Sequence, residues 1–186
     1  PQFAGMRFGA YIIPDKTSAT SDDMPAVGGA GTDAQEYGLV LNYETKFGGG
    51  SFKASAARWM VRGTASASMN NTNGGVKIGF GDVTVGGSYY VAKHEDSGLE
   101  GTANSAETTS YNLGVLYAPK GYAIGLHYVN RKAPEAASVA GDDSKSSVTL
   151  GLKYDLGPGV SAKGSIARVE YEDETSAGSA NNEGWL

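Results

Sequence analysis

The amino-acid sequence predicts an all-β fold, an antiparallel transmembrane β-barrel with short periplasmic turns and long extracellular loops. A repeat of about 37 residues runs through the chain. Within each repeat, large apolar residues alternate with small or polar ones, and short turns alternate with long hydrophilic connections. Counted on these features, the chain holds about nine to ten strands.

Four segments share one strand pattern, at 37–43, 74–80, 111–117 and 148–154. In each segment the third and fifth residues are large and aliphatic, and the seventh is aromatic. Most residues between them are small or polar. A period of two places successive side chains on opposite faces, which predicts strands and not helices.

Short turns containing glycine or proline follow these segments, at 48–50, 81–82, 118–121 and 156–159. Glycine and proline favour the backbone angles that a chain reversal needs. The other connections are long and hydrophilic, at 14–35, 63–73, 93–109, 132–146 and 172–183. This strict alternation of connection lengths is typical of outer-membrane barrels.

Two of the predicted strands change phase along their length. In 51–62, Phe52 and Trp59 have opposite parity, as do Ile166 and Tyr171 in 160–171. A one-residue slip predicts a β-bulge near the far end of each strand. Such bulges would turn three more basic residues toward the small and polar face: Arg58, Arg62 and Arg168.

The small and polar face cannot be a dry core, because unpaired charges are costly to bury. We expect water on this side and lipid on the aliphatic side. The residues predicted to line a pore are Arg7, Lys53, Lys77, Asn112, His127, Arg131, Thr149, Lys153 and Lys163.

Aromatic residues recur next to the short turns and are predicted to form a girdle at one membrane interface. They are Tyr43, Phe80, Tyr117 and Tyr154. A second girdle is predicted at the other end, from Trp59, Tyr89, Tyr128 and Tyr171. Any single ring is equally consistent with cross-strand packing. The series as a whole favours the girdle.

Composition excludes several classes of function. The chain of 186 residues has no cysteine, so it has no disulfide framework, thiolate metal site or cysteine nucleophile. A net charge of −5 argues against nucleic acid as a partner. We find no catalytic motif and predict no catalytic residue, no metal and no cofactor. For His94-Glu95-Asp96, a solvated loop is favoured over a loop-bound divalent cation.

The segments 1–15, 111–117 and 150–165 carry a resemblance to a known family. The chain resembles the later part of a sixteen-stranded general porin of Gram-negative bacteria, of the alphaproteobacterial type. The resemblance covers essentially the whole chain as a strand-and-turn pattern. It implies that 1–186 is a single porin-like β-barrel domain, incomplete at both ends. Further strands would precede Pro1 and follow Leu186.

The resemblance also implies a function. The protein would be a porin of the bacterial outer membrane, a water-filled channel for passive diffusion of small hydrophilic solutes and ions, and a homotrimer. We expect membrane lipid and lipopolysaccharide as its surroundings and partners. The acidic loops and the net charge favour a slight preference for cations.

Two alternatives remain from the sequence. One is a smaller outer-membrane β-barrel enzyme or adhesin, which should show acids and a histidine together at the loop-side rim. The other is a soluble β-rich binding protein, which should have turns of similar length at both ends of its sheet.

Overall fold

The computed structural model describes residues 2–13, 34–63, 68–95, 105–134, 142–172 and 182–185, and these are built from β-strands joined by short turns. The strands form one sheet in chain order. They are β1 (Gln2–Phe3), β2 (Met6–Ile13), β3 (Ala34–Phe47), β4 (Gly50–Gly63), β5 (Ser68–Phe80), β6 (Val83–Glu95), β7 (Ser105–Tyr117), β8 (Tyr122–Pro134), β9 (Asp142–Gly157), β10 (Val160–Glu172) and β11 (Asn182–Trp185).

Each strand pairs antiparallel with the next one along the chain, from β1 to β11. In the described ranges, no pairing closes the sheet between its first and last strands. These ranges also contain no helix long and apolar enough to cross a membrane. The all-β prediction and its antiparallel neighbour pairing are confirmed.

The short turns occur where they were predicted, and glycine permits them. The backbone φ is +84° at Gly49, +55° at Gly81 and +94° at Gly121. Residues with a Cβ atom rarely adopt such angles. One more short turn lies at Ala4 and Gly5, after β1. It was not predicted, because a strand of two residues shows no alternation.

The strands extend further toward the long connections than predicted. Strand β5 begins at Ser68 instead of residue 74, β7 at Ser105 instead of 111, and β9 at Asp142 instead of 148. Their loop-side ends, such as Asn70 and Asn71, carry polar residues on both faces. Backbone pairing continues there without the apolar alternation that marks a strand in the sequence.

The predicted bulges are absent from the described strands. Strand β4 pairs with β3 and β5 without any shift of register. The one shift in β10 lies between Val160 and Ser161, beside the short turn. Large side chains occur on both faces of the loop-side halves of these strands. In the sequence, this looks like a change of phase in the apolar alternation. Arg58, Arg62 and Arg168 therefore lie on the face opposite to the predicted one.

The register divides the sheet into two faces. The apolar face carries the aliphatic residues of the repeat, and these are exposed, with 66% of Leu39 and 58% of Leu113 accessible. Neighbouring strands continue this face, as in the register pairs Phe8–Leu41, Ile78–Val85 and Leu126–Leu150. The polar face is its opposite side. Among the described residues, only Val61, Met69 and Ala92 are buried hydrophobics. So large an exposed apolar surface needs another phase to cover it.

Candidate functional site

The polar face brings together all the side chains predicted to line a pore. Register places them on this one side of β2 to β10. They are Arg7, Lys53, Lys77, Asn112, His127, Arg131, Thr149, Lys153 and Lys163. Their common face agrees with the prediction, and their role in lining a pore stays a prediction.

The polar face is concave. A trough of about 800 Å³ runs along it, with a lining that extends from Arg7 on β2 to Thr149 on β9. One cavity can be shared by so many neighbouring strands only if the sheet curls toward this side. A barrel wall curls toward its lumen in the same way.

Glycine residues keep the surface of the trough free of large side chains. A Cβ atom at Gly86 would lie 2.9 Å from the carbonyl oxygen of Val76 and 3.4 Å from Cβ of Lys77. At Gly75 it would lie 3.0 Å from Cβ of Ser88. Larger residues at these positions would force neighbouring side chains aside. Glycine therefore leaves water-accessible space between the polar side chains.

Hydrogen bonds tie neighbouring strands together across this face. The Asn112 amide donates to the hydroxyl oxygen of Ser88 over 2.5 Å. The Tyr11 hydroxyl donates to the Glu36 carboxylate over 2.6 Å. Both bonds join side chains on adjacent strands, so they hold the wall in one arrangement.

Two ion pairs lie on the polar face near the short turns. The Lys53 ammonium is 2.8 Å from the Glu44 carboxylate, and the Lys153 ammonium is 2.8 Å from Asp155. All four side chains are about half exposed. Exposed ion pairs contribute only about 0–1 kcal/mol to stability. Their importance here lies in the charges that they leave on the wall.

An aromatic cluster marks the loop-side half of the polar face. The rings of Trp59 and Tyr90 stack with centroids 6.0 Å apart. The Tyr90 hydroxyl donates to the Asn71 side-chain oxygen over 2.7 Å. Asn71 is fully buried. Sequence reasoning missed this cluster, because it assigned Trp59 to the membrane-facing girdle.

Comparison with known proteins decides the family. The model of the Gram-negative porin family matches residues 1–174. The chain belongs to the Gram-negative porin family. No curated protein and no solved structure matches the chain significantly. Family membership implies an outer-membrane location and a porin-type channel rather than an enzyme.

In this porin the turn-side aromatic residues all lie on the apolar face: Tyr43, Phe80, Tyr117 and Tyr154. Ring contacts also occur there. The ring centroids of Tyr43 and Phe52 are 6.1 Å apart, and those of Tyr117 and Tyr122 are 6.0 Å apart. Cross-strand packing and a position at a membrane interface are therefore compatible explanations of these rings. A girdle at a membrane interface stays a prediction.

Only two of the four residues predicted for a second girdle lie on the apolar face of this porin, and the girdle itself stays a prediction. Tyr89 and Tyr128 lie on the apolar face. Trp59 and Tyr171 lie on the polar face, which corrects the prediction for these two. The Tyr171 hydroxyl donates to the Asp143 carboxylate over 2.8 Å. The prediction assumed a bulge at the loop-side ends of β4 and β10. These strands continue there without a bulge, so the two rings stay on the polar face.

His127 is the histidine of this porin whose side chain the structure describes. His127 is exposed on the polar face, opposite Gly114 and Thr149. No three His, Cys, Asp or Glu side chains of the described ranges converge to hold a metal ion. The segment 94–96 was predicted as a loop. His94 and Glu95 instead end β6, and Asp96 lies outside the described residues.

Proposed function

We propose that this porin forms a water-filled channel for passive diffusion of small hydrophilic solutes and ions. The observation that carries the proposal is the contrast between the two faces of one curled sheet. The convex face is aliphatic and exposed, while the concave face is polar and rich in glycine. A sheet of this kind is stable when lipid covers one side and water fills the other.

The proposal assigns the wall to the polar-face residues. Asn112 and Thr149 supply hydrogen-bonding groups, and Lys77 and Lys153 supply charge. Such groups bind water and polar solutes without holding any one of them tightly. A glycine-rich wall also leaves a wide bore, because it has few side chains that fill the space.

A soluble binding protein fits the structure less well. Its exposed apolar residues would have to be covered by protein, since monomeric soluble proteins rarely expose contiguous apolar patches of more than a few hundred Å². An outer-membrane enzyme would need acids and a histidine in contact. In the described ranges, the residues directly opposite His127 are glycine and threonine, and neither is an acid.

The assembly and surroundings of the channel are further parts of the proposal. We propose a homotrimer whose apolar faces contact lipid and neighbouring subunits, with lipopolysaccharide around the loop side. We also propose that 1–186 belongs to one barrel domain. Chemical cross-linking of the protein in outer membranes tests the trimer, which should appear as one cross-linked species.

Reconstitution tests the channel itself. The complete protein, folded and inserted into planar bilayers, should give stepwise conductance that rises in proportion to salt concentration. In liposomes, it should admit small sugars faster than large ones. Heat-denatured protein is the control and should do neither. Folded, inserted protein without conductance would overturn the proposal.

A further inference from the structure

Three pairs of like charges face each other across strands on the polar face. Lys53 lies directly opposite Lys77, Lys153 lies opposite Lys163, and Arg131 lies opposite Lys145. Like charges directly opposite on neighbouring strands destabilise a sheet. We therefore expect the three pairs on this face to have a function that compensates for their cost in stability.

Acidic neighbours neutralise only half of each lysine pair. Glu44 binds Lys53, and Asp155 binds Lys153. Among the described residues, no ion pair is formed by the other members, Lys77 and Lys163. Each lysine pair thus keeps one unneutralised positive charge on the water side.

Glu44 is shared still more widely. It interacts electrostatically with Arg7 and Lys46 as well as with Lys53. One carboxylate therefore serves several cations on β2 to β4. This part of the wall stays positive although the chain as a whole carries a net charge of −5.

The two lysine pairs lie at a similar distance from the short turns. Lys77 and Lys153 each lie four residues before a turn glycine, Gly81 or Gly157. Their partners Lys53 and Lys163 lie four residues after Gly49 and Gly159. At a rise of about 3.4 Å per residue, both pairs lie about 14 Å from the short turns. They are therefore at a similar depth, on opposite sides of β6 to β8.

Small residues leave the free ammonium groups accessible. Lys77 has Gly75 and Gly79 on either side on its own strand and Gly86 opposite. The Lys163 neighbours on the same face are Ser161 and Ser165. Lys77 also lines the trough, so a solute there can approach its ammonium group without meeting a large side chain. Lys163 lies outside the trough lining and is exposed on the same face.

We propose that Lys53/Lys77 and Lys153/Lys163 form two anion-binding sites that make the channel prefer anions, small oxyanions such as phosphate or sulfate in particular. An anion bound at each pair would neutralise the positive charge that Glu44 or Asp155 leaves there, and lysine binds phosphate as a point charge. This inference rests on the proposed channel function and deepens it.

The inferred preference is opposite to the one that net charge favours. Acidic loop residues at a channel mouth are screened beyond about 8–10 Å at physiological salt. Charges on a low-dielectric wall instead concentrate their field in the channel. The wall lysines should therefore decide the selectivity.

The test is the reversal potential of the complete protein in a planar bilayer across a KCl gradient, at low and high salt. The wild type should prefer chloride at both. Lys77→Gln combined with Lys163→Gln should lose most of that preference, and phosphate should block its chloride current less than that of the wild type. Lys132→Gln, on the apolar face, is the control and should change neither.

A further variant acts in the opposite direction and guards against misfolding as an explanation. Glu44→Gln frees Lys53 and should increase the preference for anions. A cation preference in the wild type, or a selectivity unchanged in the double variant, would overturn the inference while the channel stands. Loss of all conductance in the wild type would instead refute the channel.

Discussion

Trp59 on β4 stacks on Tyr90 on β6 across the polar face, with the ring planes inclined by 30°. The side-chain oxygen of Asn71, on the intervening strand, accepts a hydrogen bond from the Tyr90 hydroxyl. Three neighbouring strands are thus joined on the side that we assign to water. This position distinguishes Trp59 from Trp185, which lies on the apolar face and is 65% exposed.

Tryptophan fluorescence should report this difference, because the chain has only these two tryptophans. With Trp185→Phe, only Trp59 emits, and phospholipids brominated on their acyl chains should quench it weakly. With Trp59→Phe, only Trp185 emits, and quenching should be stronger. The measurement is emission in vesicles with and without brominated lipid. Stronger quenching of Trp59 than of Trp185 would place Trp59 against lipid.

Gly38 is predicted to be intolerant of any side chain. A Cβ atom there would overlap the ring of Tyr11, whose hydroxyl donates to Glu36. Gly38→Ala should displace the ring and cost about 1.5–3 kcal/mol, the range for a hydrogen bond to a charged group. The measurement is the free energy of unfolding by urea in lipid vesicles.

Gly164→Ala is the matched control for Gly38, since a Cβ atom at Gly164 meets nothing within 4 Å. Its free energy of unfolding should stay within about 0.5 kcal/mol of the wild-type value, as for surface substitutions away from special features. Equal stability of the two variants would show that Tyr11 does not pack across Gly38.

The turn between β7 and β8 should depend on its last residue, Gly121. Gly121 has a φ of +94°, and alanine at such angles costs about 1–2 kcal/mol. Gly121→Ala should therefore lower the free energy of unfolding, while Lys120→Ala in the same turn should leave it nearly unchanged. If the two variants unfold alike, the positive φ at Gly121 is not required.

The turn-side half of the fold was predictable because lipid and water act on opposite faces there. Leu150 and Leu152 alternate with Thr149 and Gly151, so strand, face and turn can all be read from this segment. All residues predicted to line the pore lie on the polar face for the same reason.

The loop-side half was not predictable in this way. Around Asn70 and Asn71 both faces carry polar residues, so alternation does not show where β5 begins. Trp59 and Tyr171 seemed out of phase because large residues also occur on the polar face. An apolar side chain therefore does not by itself identify the lipid side.

The like-charged pairs needed the register of the strands. Lys53 and Lys77 belong to strands joined at 64–67, where the sequence predicts a longer connection, and no local pattern in the sequence pairs them. A shift of one residue between β4 and β5 would place these lysines on opposite faces. The charge pattern of the wall is thus a property of the assembled sheet.

The most direct test of the central claim joins accessibility to conductance. Asn112 and Leu113 are adjacent on β7 and lie on opposite faces, and the chain has no cysteine of its own. A charged thiol reagent added from the water phase should reduce single-channel conductance for Asn112→Cys. For Leu113→Cys it should have no effect. A reduction with Leu113→Cys and none with Asn112→Cys would contradict a water-filled channel on the polar face.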